Sequence, residues 1–106
     1  MNNEFGLKQT DLENIISILQ KENNIEKAFI FGSRAKGNNN KGSDVDIALA
    51  GKNLKSDAIT HISYLLNEET LMPYKFDVLN YNNINSKELL SHIERVGKVI
   101  YSKQAS

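Results

Sequence analysis

The chain has 106 residues, and its 13 basic and 13 acidic side chains give a formal net charge of zero. This length fits one domain, which we expect to span residues 1–106. A net charge of zero disfavours stable nucleic-acid binding and charge-driven membrane binding. The absence of cysteine excludes disulfides, thiolate metal sites and cysteine nucleophiles. Because the sequence shows no basic leader and no apolar run of membrane length, we expect a cytoplasmic protein.

Apolar periodicity and turn residues predict an α/β fold in which helices pack on one small sheet. The predicted elements, in chain order, are a helix over 11–22, a strand over 27–31, a loop over 33–43 with one helical turn at its start, a strand over 44–50, a helix over 57–68, a strand over 75–80, a helix from 86 to 97 and a short edge strand over 99–101. Thr10 opens a capping-box pattern that is completed by Glu13, and Ser56 is the predicted cap of the second helix.

Three carboxylates stand out because each lies within an otherwise apolar strand: Asp44, Asp46 and Asp77. A carboxylate in such a strand is costly unless it faces water or a metal ion. Asp44 and Asp46 are two residues apart, so they project from the same face of their strand. If the strand that carries Asp77 pairs beside them, three hard oxygen donors meet in one cleft, and Mg²⁺ would relieve their repulsion. Two such ions are the usual device for in-line phosphoryl displacement.

A second group of residues follows the first strand directly. Gly32 allows a phosphate to approach the backbone closely, and exposed N–H groups at a strand-to-helix turn attract anions. Ser33 adds a hydroxyl donor, while Arg34 and Lys36 add cations that bind phosphate oxygens. If the first two strands form a hairpin, this phosphate site faces the carboxylates, as a site for a nucleoside triphosphate with Mg²⁺ would require.

Gly32-Ser33, followed after ten residues by Asp44-Val45-Asp46, resembles the signature of the polymerase-β-like nucleotidyltransferases. The surrounding residues resemble its minimal members, the MNT-domain proteins, which include MntA-type antitoxins. Asp77 lies where the third acidic residue of this family belongs. The resemblance covers nearly the whole chain and implies the polymerase-β-like fold, a small mixed sheet with helices packed on it.

The resemblance also implies a role for each motif residue. Gly32 and Ser33 would hold the β- and γ-phosphates of ATP. Asp44 and Asp46 would bind two Mg²⁺ ions, and Asp77 would ligate the catalytic ion and help to deprotonate the acceptor hydroxyl. That hydroxyl would attack the α-phosphorus of ATP and release pyrophosphate.

The acceptor is inferred from size and from the family. A chain this short has no second lobe to hold a large acceptor, so the acceptor would arrive on a partner protein. The resemblance to MntA-type antitoxins implies a HEPN-domain toxin that receives AMP on a tyrosine hydroxyl. Two alternatives stay open: a small-molecule nucleotidyltransferase of the aminoglycoside type, and an antitoxin that acts by binding alone. The sequence does not indicate the base preference or the oligomeric state.

Simpler interpretations exist for several of these residues. Asp77 could be a solvated edge carboxylate, and Arg34 and Lys36 could be ordinary loop charges. His61 and His92 lie in predicted helices outside the motif, where surface or boundary positions are expected rather than catalysis.

Overall fold

The structure, a computed structural model, describes residues 5–36 and 44–103, apart from the side chains of Ser33 and Lys36. Its elements are α1 (Gln9–Gln20), β1 (Lys27–Phe31), α2 (Ser33–Lys36), β2 (Asp44–Ala50), α3 (Ser56–Glu68), β3 (Lys75–Asn80), a 3₁₀ turn (Tyr81–Asn83), α4 (Lys87–Val96) and β4 (Lys98–Ser102). The predicted order is confirmed, and α2 is the single helical turn expected after β1. The rest of the predicted loop, residues 37–43, lies outside the described residues.

The four strands form one mixed sheet in the order β3-β2-β1-β4. β1 pairs antiparallel with β2 and with β4, whereas β2 and β3 run parallel. The antiparallel pair confirms the predicted hairpin, and the parallel pair is joined through α3, as such a crossover requires. The register sets Asp46 opposite Phe31 on one side and beside Asp77 on the other.

The two faces of the sheet are covered unequally. α1 and α3 cover one face and bury a large apolar cluster built on alternate strand residues; its fully buried members include Ile15, Leu19, Ile30, Val45, Ile47 and Leu49. α4 covers part of the other face, where Ile93 packs with Phe31 and Ala48. Since side chains alternate along a strand, this second face is the one that carries the three aspartates. Among the described residues, no helix is long and apolar enough to cross a membrane.

Two of the predicted helix caps are wrong. α1 begins at Gln9 with Lys8 at its N-cap, so Thr10 lies inside the helix, and α3 begins at Ser56 itself with Lys55 at its N-cap. Neither lysine makes a capping bond with its side chain. In both cases a buried leucine, Leu7 or Leu54, directly precedes the cap residue. Burial of an apolar residue at this position fixes where the chain enters the helix, and here it outweighs the polar capping pattern.

α4 begins as the sequence predicts. The Ser86 hydroxyl accepts a hydrogen bond from the Leu89 amide at 3.2 Å, which satisfies one of the free donors at the helix start. Gly97 ends the helix, and its amide donates to the Ile93 carbonyl at 2.7 Å. A Cβ on Gly97 would collide with that same carbonyl, so a glycine is needed at this close approach.

The position of β3, and therefore of Asp77, is supported by a side chain of α3. β3 lies at the edge of the sheet, where outward backbone groups have no neighbouring strand. The Asn67 side chain accepts from the Phe76 amide at 2.8 Å and donates to the Phe76 carbonyl at 3.0 Å. Because Phe76 directly precedes Asp77, this pair of bonds ties the carboxylate strand to α3.

Candidate active site

The structure brings the three predicted carboxylates to one face of two neighbouring strands. Asp46 and Asp77 are direct partners in the parallel register of β2 and β3, and Asp44 lies two residues before Asp46 on the same face of β2. Lys75 is the register partner of Asp44. Asp44 and Asp77 are exposed, whereas Asp46 is half-buried. The pairing on which the predicted cluster depended is therefore present.

Asp46 lies at the electrostatic centre of this cluster. Burial raises the pKa of its carboxyl above the ordinary value of 3.8, and the negative charges of Asp77 and then Asp44 raise it further. His92 opposes this shift, while a side-chain hydrogen bond with Asp77 adds to it. Neighbouring carboxylates disfavour the ionised form of Asp46 because like charges repel. Burial and like-charge repulsion thus act together on this carboxyl.

Gly32 brings the end of β1 against this carboxylate. Its φ of 75° lies in the left-handed region that favours glycine. A Cβ built on Gly32 would collide with Oδ2 of Asp46 and would lie 3.4 Å from Cγ of that residue. Every other residue type would displace the carboxylate or the turn. The predicted phosphate-binding turn and the predicted metal-binding carboxylate are therefore in direct contact.

His92 also belongs to this neighbourhood, which the sequence interpretation did not anticipate. The Gly32 amide donates a hydrogen bond to Nε2 of His92 at 3.2 Å. The His92 ring meets the Phe31 ring edge-on, with centroids 6.2 Å apart. One signal could have revealed it: His92 follows Leu89 by three residues and adjoins Ile93, so it lies on the apolar face of α4 that packs on the sheet.

The structure does not bring the Arg34 side chain to the carboxylates. Arg34 is only 4% exposed. Its Nε donates to the Asp44 carbonyl at 2.9 Å, and its Nη1 donates to the Phe5 carbonyl at 3.0 Å. Its guanidinium lies over the Tyr74 ring, 5.1 Å from the centroid. These contacts give Arg34 a structural role that joins four segments of the chain, although its predicted role in nucleotide binding stays a prediction.

Ser33 and Lys36 are located only through their backbone. Both lie in α2, the single turn that follows Gly32. Ser33 is thus adjacent to the point where β1 meets the carboxylates, as the predicted phosphate site requires, while Lys36 ends the turn. Their side chains are outside the described part of the structure.

The donor chemistry of the cluster fits a divalent cation. Asp44, Asp46 and Asp77 offer carboxylate oxygens, the ligands that Mg²⁺ prefers. Burial and the neighbouring carboxylates raise the pKa of Asp46, and a cation would offset the repulsion among them. In the described residues, no group of three acidic or histidine side chains has converged into a metal-ligand arrangement. The strand register places the three carboxylates on neighbouring strands.

Two open grooves lie away from this cluster. One, of about 550 Å³, is lined by α1 and the segment 69–73; the other, of about 630 Å³, is lined by α3 and β3. None of the predicted site residues lines either groove.

Comparisons with known proteins identify the family and the fold of this chain. The family model described as "Polymerase beta, Nucleotidyltransferase" matches residues 13–106. A toxin–antitoxin structure solved with AMP-PNP has a TM-score of 0.72 at 22% identity and covers 88% of this chain and 74% of that one. The toxin–antitoxin complex MntA–HepT has a TM-score of 0.68 at 19% identity, over 91% of this chain and 74% of that one.

A third structure contains a tri-AMPylated Shewanella oneidensis HEPN toxin in complex with an MNT antitoxin. It has a TM-score of 0.70 at 19% identity, over 92% of this chain and 74% of that one. At these identities the likeness shows a shared fold. No curated protein matches this chain in sequence.

Proposed function

This chain belongs to the polymerase beta nucleotidyltransferase family, and we propose that it transfers AMP from ATP to a hydroxyl acceptor, a tyrosine of a partner HEPN-type toxin. The observation that carries the proposal is the contact between the Gly32 turn and the Asp46 carboxylate, beside Asp77. It joins a backbone suited to phosphate with the acidic cluster that phosphoryl transfer requires.

In this proposal the chain's residues divide into two functional groups. Gly32 and Ser33 hold the β- and γ-phosphates at the end of β1. Asp44, Asp46 and Asp77 hold two Mg²⁺ ions, which, when bound, would neutralise charge on the triphosphate and on the transition state. Burial and the negative charges of Asp77 and Asp44 raise the pKa of Asp46, and a bound cation would offset those charges, which supports this assignment.

The reaction is an in-line displacement at the α-phosphorus of ATP. The acceptor oxygen forms a bond to the α-phosphorus while the bond from that phosphorus to the bridging oxygen of the β-phosphate breaks, and pyrophosphate leaves. Asp77, which is exposed beside Asp46, accepts the proton of the attacking hydroxyl. The protein contributes mainly positioning and charge compensation, which together supply most of the catalysis in this class of reaction.

The choice of a protein acceptor rests on the exposure of the carboxylates and on the fold neighbours. Asp44 and Asp77 are exposed, so a partner protein can reach them. The neighbouring structures are complexes of antitoxins with toxins, and one contains an AMPylated HEPN toxin. A toxin surface that closes over the exposed carboxylates would supply the acceptor hydroxyl.

The proposal is tested with native cell extract, Mg²⁺ and ATP labelled on the α-phosphate, followed by a denaturing gel. The wild-type chain is compared with Asp44→Asn/Asp46→Asn, and Asp57→Asn serves as the control because Asp57 is an exposed carboxylate on the opposite side of the sheet, in α3. We expect one labelled protein that requires Mg²⁺, persists with the control and disappears with the double variant. Mass spectrometry then identifies the protein and the modified residue.

Other outcomes separate the competing functions. Pyrophosphate release by the wild-type chain without any labelled protein would indicate a small-molecule acceptor. A toxin that is bound and neutralised equally by the wild-type chain and the double variant, without label or pyrophosphate, would indicate that the chain acts by binding alone.

A further inference from the structure

We propose that His92 is a positioning residue for nucleotide binding: it fixes the Gly32 turn from α4 so that the phosphate-binding backbone keeps its place beside Asp46. This inference rests on the proposed function. It extends the site to a helix that begins more than fifty residues after the Gly32–Ser33 motif.

The hydrogen bond between Gly32 and His92 has a defined direction. The Gly32 amide is the donor, and Nε2 of His92 is the acceptor. The donor and acceptor are 3.2 Å apart in a part-buried environment. The edge-on contact with Phe31 and the packing of Ile93 on that same residue hold the ring in this orientation. The acceptor nitrogen therefore belongs to a ring that packing holds in one orientation.

Gly32 needs such an external restraint. Glycine has more backbone freedom than any other residue, and φ is 75° at this position, where the chain leaves β1 and enters α2. The antiparallel pairing with β2 ends at Phe31, so the ladder of the sheet does not extend to Gly32. The bond to His92 restrains the residue that stands against the Asp46 carboxylate.

A competing role for His92 predicts the opposite change in nucleotide affinity. If the Gly32 amide itself bound a phosphate oxygen, His92 would compete with the nucleotide, and its removal would strengthen binding. The geometry favours positioning, because the amide is directed at a packed ring that would have to leave its contacts with Phe31 to release it.

The experiment measures binding of a non-hydrolysable ATP analogue with Mg²⁺ by isothermal titration calorimetry. Three variants are compared with the wild-type chain: His92→Leu removes the acceptor, His92→Gln places an amide oxygen at about the reach of Nε2, and His92→Asn is too short. His61→Leu is the matched control, since His61 is an exposed histidine on α3. Thermal melts of each variant report any general loss of stability.

We expect His92→Leu and His92→Asn to weaken binding about three- to tenfold, the effect of one lost hydrogen bond. We expect His92→Gln and His61→Leu to bind close to the wild-type level. Where the acceptor is known, KM for ATP should rise more than kcat falls, because the turn holds phosphates in the ground state and in the transition state alike. The comparison of Gln with Asn remains decisive even if the leucine variant is destabilised.

Two results overturn the inference while leaving the proposed function intact: binding by His92→Leu and His92→Asn that equals the wild type, or binding that becomes tighter. A wild-type chain that binds no nucleotide and transfers none would remove the proposed function, and this inference with it.

Discussion

Replacement of Arg34 by lysine should destabilise the folded chain in the absence of any nucleotide. Arg34 is buried, and its fork of N–H groups reaches two backbone carbonyls that belong to separate segments, those of Phe5 and Asp44. Lysine keeps the charge but presents a single ammonium group, which cannot reproduce both bonds or the planar stacking on Tyr74. The substitution therefore tests the contribution of the guanidinium geometry while the positive charge is kept.

The expected loss can be estimated contact by contact. A hydrogen bond from a charged donor contributes about 1.5–3 kcal/mol, and a desolvated cation–π contact contributes about 2 kcal/mol. Because the ammonium can still donate to one carbonyl, we expect Arg34→Lys to lower the free energy of unfolding by about 2–4 kcal/mol. For a domain of this length the melting temperature should fall by roughly 10–20 °C.

Thermal melts followed by circular dichroism provide the assay, with and without the ATP analogue. Arg95→Lys is the control, because Arg95 is the other arginine of the chain and is exposed on α4. The two roles considered for Arg34 give different results. An unchanged melting temperature combined with weakened nucleotide binding would refute the structural role and would favour Arg34 as a phosphate ligand.

Three further substitutions test the same physical description. Asp46→Asn should raise the free energy of unfolding at pH 7 by about 0.2–1 kcal/mol, the size of a like-charge contact between strands. Since the pKa of Asp46 is raised in the folded state, the wild type loses stability as pH rises through the carboxyl range. Urea titrations should therefore show that Asp46→Asn is more stable than the wild type at about pH 7 but not at about pH 3. Gly32→Ala should cost about 1–2 kcal/mol or more, from its positive φ and the collision with Asp46, and a wild-type melting temperature would contradict this. Burial and the hydrogen bond to Asp11, 2.8 Å long, raise the pKa of Tyr74, so wild-type stability should fall above pH 10. Melts across that range should show no such fall in Tyr74→Phe.

The strand alternation in the sequence was sufficient to predict which residues share a face. Val45, Ile47 and Leu49 alternate with Asp44 and Asp46, and a two-residue period leaves no other arrangement in a strand with one buried face. The placement of β3 beside β2 was a condition of the predicted carboxylate cluster, and the register confirms it. Local periodicity therefore predicted both the elements and the acidic face.

The contacts that join distant segments could not be predicted in the same way. Arg34 follows Gly32-Ser33 in a polar stretch, and nothing local shows that its side chain turns inward to the carbonyls of Phe5 and Asp44. The bond from Gly32 to His92 spans 60 residues, and it depends on where α4 crosses the sheet. Such contacts depend on tertiary packing, which a local sequence pattern does not predict.

The unequal covering of the two sheet faces connects stability with function. The face under α1 and α3 is almost wholly apolar and buried, and it provides the hydrophobic stabilisation of the fold. The face with the carboxylates is covered only in part, and burial together with the neighbouring carboxylates raises the pKa of its half-buried Asp46. The apolar face supplies most of the stability of the sheet. Substitutions of the carboxylates should therefore lower activity without lowering stability, whereas substitutions in the apolar cluster should reduce both.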